Sequence, residues 1–439
     1  MRNRLHNVPC SKNSIDTGGS EMKSNLKKYL LSGVMLGATA LTLAACGSGS
    51  GEKKASGSSD KTDVTLWITT DSKKFYTKVL EDFEKDNPDI HVKVVETEDA
   101  KAQENVKKDP SSAADVFALP HDQLGQLVDS GVIQEIPEKY VDEIKSDQSE
   151  TALAGATYKD KVYAFPYGIE SQVLYYNKKM LNENQVSSYE NITKDATFGA
   201  NLKAVDAYKI GPLFMSVGDK LFGDTGEDVK GTDWNNSAGI SVLQWIADQK
   251  NNSGFINVGD DYISQFENEK IAAFESGPWD KEKAIEAVGK DNLGIAVYPK
   301  ITIGGNEVQQ KAFLGVKLYA VNQAPADGDS KKIAADYKLA SYLSSEAVQE
   351  AQFKDETRNI IPSNTTIQEA DYVTNDELAN AVVTMSGSDY SVVMPKIPEM
   401  TNFWTASAAV LSDTYNGKIK PDQYQAKLDQ LVKDISGDK

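Results

Sequence analysis

From Asp63 to Gly131 the hydrophobic period switches repeatedly between two and about 3.6, and that alternation limits the fold more than any other feature. "DVTLWIT" (63–69) alternates as a strand does. "SKKFYTKVLEDFEKDNP" then places Phe75, Val79, Leu80 and Phe83 on one helical side until Asn87-Pro88-Asp89 stops it. "DIHVKVVE" returns to period two, with His91 on one face of a strand where a structural or surface role is expected. "ENVKKD" is a short helical piece, "ADVFALP" a buried strand, and "HDQLGQLVDSG" a helix closed by Gly131. Strands joined by helices run parallel, so this stretch predicts an α/β lobe with a mainly parallel sheet. Ligands of such sheets collect beyond the carboxyl ends of the strands, here Thr69-Thr70-Asp71 and Leu119-Pro120-His121-Asp122. His121 either lines that cleft or starts the following helix.

"KDKVYAFPYGIESQVLYYNKKML" (159–181) breaks the pattern. Lys159-Asp160-Lys161 predicts a hairpin turn, and two extended apolar runs separated by Pro166-Tyr167-Gly168 predict a crossing to a second lobe. Helical patterns at "SAGISVLQWIADQKN" and "DYISQFENEKIAAF" follow. "LGIAVYP", a Gly304-Gly305 turn and "AFLGVKLYAVN" make a second set of strands through which the chain can cross back. A helix pair, "IAADYKLASYLSSEAVQEAQFKD", and a mostly helical tail after Pro362 complete the chain. No internal repeat is evident.

Upstream, Lys23, Lys27 and Lys28 precede an apolar run from Leu30 to Ala45, shorter than the roughly 20 residues that span a membrane. Leu43-Ala44-Ala45-Cys46 resembles the lipobox of bacterial lipoprotein signal peptides, which implies cleavage before Cys46 and a lipid on its sulfur, the strong nucleophile that such a thioether requires. The other reading of Cys46, a buried thiol in a short membrane helix, fits the small residues around it less well. The export signal begins naturally at Met22, so the natural start is expected there. Residues 1–45 are read as the signal, and 46–62, rich in Gly, Ser and Lys, as a flexible tether.

The 439-residue chain has a net charge of −18, and without its first 45 residues, which carry six Lys/Arg and two Asp/Glu, −22. So acidic a surface repels phosphate backbones, which argues against nucleic acid as a partner. Two cysteines allow one disulfide at most, and two histidines beyond the signal are too few for a zinc cluster. No G-x-S-x-G, phosphate loop or H-E-x-x-H is present, so no catalytic residue, metal or cofactor is assigned. Paired carboxylates need no motif, and that keeps a secreted glycosidase as a rival.

Sugars offer apolar C–H faces edged by hydroxyls, and are held by flat aromatic rings together with carboxylates or amides. Of five tryptophans, Trp279 after Gly277-Pro278 and Trp404 after Pro395 and Pro398 sit where a turn or a helix start presents a ring outside any core pattern, though core packing remains open for Trp279. "HDQLG", "YAFPYGIES", "YYNKKML", "SGPW", "AFLGV" and "MPKIPEMTNFW" occur in this order, and with them the sequence from about Val64 onward resembles the maltose/maltodextrin-binding proteins of bacterial ABC importers.

The resemblance implies an α/β, two-lobed periplasmic-binding-protein type fold with a hinge and an interlobe cleft that closes on linear α-1,4-glucans. It implies one lobe from 63–168 and 310–362 and a second from 169–309 and 363–439. Carbohydrate-binding roles carry over to Asp71, Asp122, Glu170, Asp206, Tyr208, Trp279 and Trp404, with Gln123 standing where the family has an arginine. Leu119 replaces a tryptophan, and Thr405 and Ala408 replace a tyrosine and an arginine, so altered subsites are expected. The implied partners are a maltodextrin ligand, the permease subunits of an ABC importer and, through Cys46, the extracellular face of a Gram-positive-type cell membrane. The protein is expected to be a monomer. Receptors for another oligosaccharide, and a glycan-binding adhesin, are the remaining alternatives. An adhesin has no need of a closing cleft.

Overall fold

The computed structural model describes residues 61–438 apart from 71, 99–100, 356–357 and 359. The expected signal, the Cys46 anchor, Asp71 and nearly all of the tether lie outside the described residues.

Two sheets organise the chain. The first contains β1 (Thr62–Thr69), β2 (Ile90–Thr97), β3 (Val116–Pro120), β6 (Ala164–Glu170), β14 (Ala312–Val321) and β15 (Ser391–Val393). Its centre is parallel, with β1 between β2 and β3, whereas β14 runs antiparallel to β3 and β6. The second contains β7 (Val173–Asn177), β8 (Phe198–Ala200), β9 (Phe255–Asn257), β10 (Ala273–Ser276) and β11 (Leu293–Ala296), in the order β11-β7-β10-β8-β9. Two small hairpins, β4 (Thr157–Tyr158) with β5 (Lys161–Val162) and β12 (Lys300–Ile303) with β13 (Asn306–Gln309), flank the passages between sheets. Each turns through two consecutive positive-φ residues, Lys159-Asp160 and Gly304-Gly305, the geometry that suits the twist of a two-residue hairpin.

Burial explains why the alternating patterns became these strands. Val64, Leu66 and Ile68 of β1 are fully buried beneath helices, while His91 of β2 points outward and meets Glu84 at 3.1 Å. The helix Lys73–Asp86 buries Phe75, Tyr76, Val79, Leu80 and Phe83, the face its spacing predicts. Each such aliphatic or aromatic side chain contributes about 1.5–3 kcal/mol when withdrawn from water. Helix starts carry side-chain caps where the sequence supplies Asn or Asp: Asn236 accepts from Ala238 and Gly239, Asp329 from Lys331 and Lys332.

One expectation is corrected. Pro166-Tyr167-Gly168 lies inside β6 and does not separate two runs; the chain leaves the first sheet at Ser171-Gln172. Proline is tolerated because β14 is the one strand paired with β6 at this tripeptide, the contact on its other side being a single bridge from Ile169 to Ile361, and the register shifts between Lys317 and Leu318, opposite it. The return passage is Gln310-Lys311, between β13 and β14.

Candidate functional site

The carboxyl end of β3 faces the start of the second sheet's loops, and a cavity of about 650 Å³ lies between them. The first sheet contributes Pro120, His121 and Asp122 after β3, Glu170 at the end of β6, and Gly315 and Val316 of β14. Met394, just after β15 and bonded to Leu314 of β14, stands on the same side, and opposite are Val205 to Tyr208, Trp279, Trp404 and Ala408. Six of the eight residues carried over from the family thus meet at one cavity: Asp122, Glu170, Asp206, Tyr208, Trp279 and Trp404. Gln123 is not among the lining residues; its Oε1 accepts from the backbone N–H of Gln103 at 3.1 Å.

The three aromatic rings are placed by different devices. Tyr208 opens the short helix Ala207–Ile210 and stacks on Phe313, with centroids 6.0 Å apart and planes 18° apart. Trp404, in the helix Met400–Tyr415, meets Phe313 edge-on at 5.9 Å and Phe403 at 4.7 Å. Trp279 is half exposed, so it belongs to no core. Its indole folds back over Gly277, where a Cβ would come within 2.2 Å of the ring. The next residue, Asp280, anchors this turn from beneath. It is fully buried and accepts from Ser276 Oγ at 2.6 Å, Tyr262 Oη at 2.5 Å and Lys283 Nζ at 3.0 Å. Burial alone raises its pKa, but these three donors outweigh it and hold the carboxyl below its usual value.

Carboxylates supply the polar side. Burial pushes Asp122 up to about 6, helped by the charge of Glu170, and its Oδ1 finds no hydrogen-bond partner among the described residues. Glu170 pairs with Lys317 at 2.9 Å. Asp206 accepts from the Tyr208 backbone N–H at 2.9 Å, capping its helix. Burial raises the Tyr208 hydroxyl pKa most, and the fields of Glu170, Asp206 and Asp122 add to it, so all three acids act on one hydroxyl.

His121 has a role the motif did not reveal. Its Nδ1 accepts from the Val316 N–H at 3.0 Å, which leaves Nε2 to donate to the Met394 carbonyl at 2.9 Å. The ring is wholly buried, and burial lowers its pKa to about 3, followed by the nearby Lys396 charge. It therefore stays neutral and clamps three chain segments, with neither nitrogen available for proton transfer. Gly315, Val316 and Met394 carry no local signal that would mark them as lining residues. Leu119 is buried in β3, so its replacement of an aromatic ring affects the core side of the strand; of the four departures from the family pattern, Ala408 alone lines the cavity. Aromatic faces and hydrogen-bond acceptors around one open cavity suit a neutral, hydroxyl-rich ligand.

The family of bacterial extracellular solute-binding proteins matches residues 78–381. The galactooligosaccharide-binding protein of Bacillus subtilis (strain 168) is 28% identical over 429 residues, covering 92% of this chain and 96% of its own. The maltooligosaccharide ABC transporter solute-binding lipoprotein of Streptococcus pneumoniae (strain ATCC BAA-255 / R6) is 28% identical over 419 residues, covering 89% and 94%. The maltodextrin-binding protein MalE1 of L. casei BL23, solved without ligand, superposes with a TM-score of 0.81 at 34% identity over 86% of this chain and 99% of its own.

Proposed function

Because the chain belongs to the bacterial extracellular solute-binding protein family and shares its two-lobed α/β fold, we propose that it is the receptor of an ABC importer and captures maltose and maltodextrins, linear α-1,4-glucans, unchanged. The observation that carries this reading is the single cavity in which the rings of Tyr208, Trp279 and Trp404 stand with the carboxylates of Asp122, Glu170 and Asp206. The rings stack on glucosyl faces and the acids accept from hydroxyls, with Asp71 completing the polar edge; Gln123, bonded to Gln103 outside the cavity lining, takes no part in this arrangement.

Hydrogen bonds to charged groups contribute roughly 1.5–3 kcal/mol each and stacked rings about 0.5–1.5. A few of each, less the cost of ordering and closure, give about −8 kcal/mol, near micromolar. The lobes, expected as 63–168 with 310–362 and 169–309 with 363–439, differ from this at Ile169-Glu170 and β15, which pair within the first sheet, and close about Ser171-Gln172 and Gln310-Lys311. The sugar drives closure because it touches both lobes in the closed state alone. Lipid on Cys46 holds the receptor, as a monomer, at the outer face of a Gram-positive-type membrane beside its permease subunits.

A second reading, a receptor for galactooligosaccharides, is favoured by the relative named for them. Calorimetric titration of the soluble protein beginning at Cys46→Ser separates the two. Maltose, maltotriose, longer maltodextrins and galactooligosaccharides are titrated, and the mixtures are then chromatographed. Saturable heat with intact α-glucans is expected. Heat with galactosides alone transfers the assignment to the second reading, and shortened sugars overturn the receptor role.

A further inference from the structure

Among the described residues, Asp122, Glu170 and Asp206 line the main cavity, and no lysine or arginine does. His121 is neutral and offsets none of this charge. A cation stands just behind the lining. Lys317 of β14 brings its Nζ to 2.9 Å from Oε2 of Glu170. The two are diagonal neighbours across the antiparallel pair of β14 and β6, in which Lys317 faces Gly168 and Glu170 faces Gly315. Glycine at 315 gives the glutamate stem its course over the strand, since a Cβ there would come within 2.8 Å of the Glu170 Cγ.

This pairing bears on both the aim and the charge of Glu170. The residue ends β6 beside Ser171-Gln172, where the chain leaves the first sheet, and it is only part-buried, so unpaired it would sample several rotamers. Lys317, inside the long strand β14, holds Oε2 and leaves Oε1 to accept from a ligand. Carboxylates that share a cavity also oppose one another's ionisation. Burial, and then the charge of Glu170, push Asp122 up to about 6, and an ammonium on Glu170 offsets the second contribution. Asp206 stands at the opposite wall, tied to the start of its own helix.

We propose that Lys317 is a positioning residue of the sugar site: it fixes which oxygen of Glu170 faces the ligand and offsets the charge of that carboxylate beside Asp122. This rests on the reading of the chain as a sugar receptor. Lys317 acts through Glu170 and does not itself line the cavity.

The soluble protein beginning at Cys46→Ser, its Lys317→Met and Glu170→Gln variants and the double variant are titrated calorimetrically with maltotriose and a galactooligosaccharide, from about pH 5 to about pH 8. Lys317→Met keeps the stem and removes the charge. It is expected to weaken the bound sugar about tenfold and to move the loss of affinity on acidification to a higher pH than in the parent. In the Glu170→Gln background the same substitution is expected to do neither, because the acid it acts through no longer carries a charge. Unchanged affinity in Lys317→Met, a loss with unmoved pH dependence, or an equal loss in both backgrounds refutes the assignment. Should Lys317→Met lower the unfolding temperature, Lys317→Cys decides. Its thiol is the sole one in the soluble protein, and alkylation with bromoethylamine restores an ammonium at the length of lysine. Affinity regained on alkylation supports the assignment, and affinity that stays low refutes it. If the galactooligosaccharide alone binds and shows this pattern, the role of Lys317 stands and the α-glucan assignment falls. A parent that binds neither sugar overturns both.

Discussion

Asp336→Asn is expected to stabilise this protein, and to do so only above the acid range. Asp336 lies within the helix Ser330–Leu343, which packs on β1, β3, β6 and β14, and it is fully buried. Neither of its oxygens has a hydrogen-bond partner among the described residues. Burial first, then the neighbouring Asp115 carboxylate, pushes its pKa from 3.8 up to about 8; Lys332 opposes this but is itself paired with Asp115 at 2.8 Å. The folded state therefore keeps a proton that the unfolded chain releases, and stability falls as pH rises from about 4 to about 8. At about 1.4 kcal/mol per unit, the three units from pH 4.5 to pH 7.5 amount to about 4 kcal/mol. Asparagine has a similar shape and nothing to ionise, so it recovers that amount at pH 7.5 and little of it at pH 4.5. With an unfolding entropy of roughly 2.1 cal/mol/K per residue over roughly 380 residues, the melting temperature rises by about 5 °C at the higher pH. Calorimetric melts of parent and variant at both pH values measure this. A gain of the same size at both, or no gain at pH 7.5, refutes the assignment of a buried, unpaired carboxyl at this position.

Trp279→Ala should weaken maltotriose binding about tenfold, the worth of one stacked ring, with little change in melting temperature because the indole is half exposed; titration with parallel melts checks both. Affinity for the same sugar should fall as pH drops through about 6, because Asp122 accepts hydroxyls best when ionised, and Asp122→Asn should be weaker at neutral pH and insensitive to this range. His121→Leu leaves the Val316 N–H and the Met394 carbonyl without their partner. The expected cost is about 2–6 kcal/mol, read from urea unfolding, since each of the two buried orphans costs roughly 1–3.

Local order was legible where its cause is local. The period switches at Val64, Phe75 and Ile90, the turns at Lys159-Asp160 and Gly304-Gly305, and the acid after β3 all follow from side-chain spacing or from backbone conformations that few residues adopt. Family motifs located six residues that meet at one cavity. They did not show that Asp206 also borders a second cavity, because Tyr262 and Glu275 reach it from segments more than fifty residues away.

Chemical type alone also left identical residues undistinguished. Trp234 lies fully buried against Phe214, with ring centres 3.9 Å apart, whereas Trp279 stands half in solvent. Asp336 is a buried acid enclosed in a helix-sheet core, whereas Asp122 is only part-buried and borders the cleft. What the sequence determined by itself is the local elements whose periodicity is written within a few neighbouring residues, such as β1, the helix Lys73–Asp86 and β2; the helical pattern read over 261–274 instead ends at Glu267 and passes into β10. Tertiary structure decided which rings face water, which histidine nitrogens are occupied and which carboxyls keep their protons, because burial and partnership depend on residues brought together from distant parts of the chain.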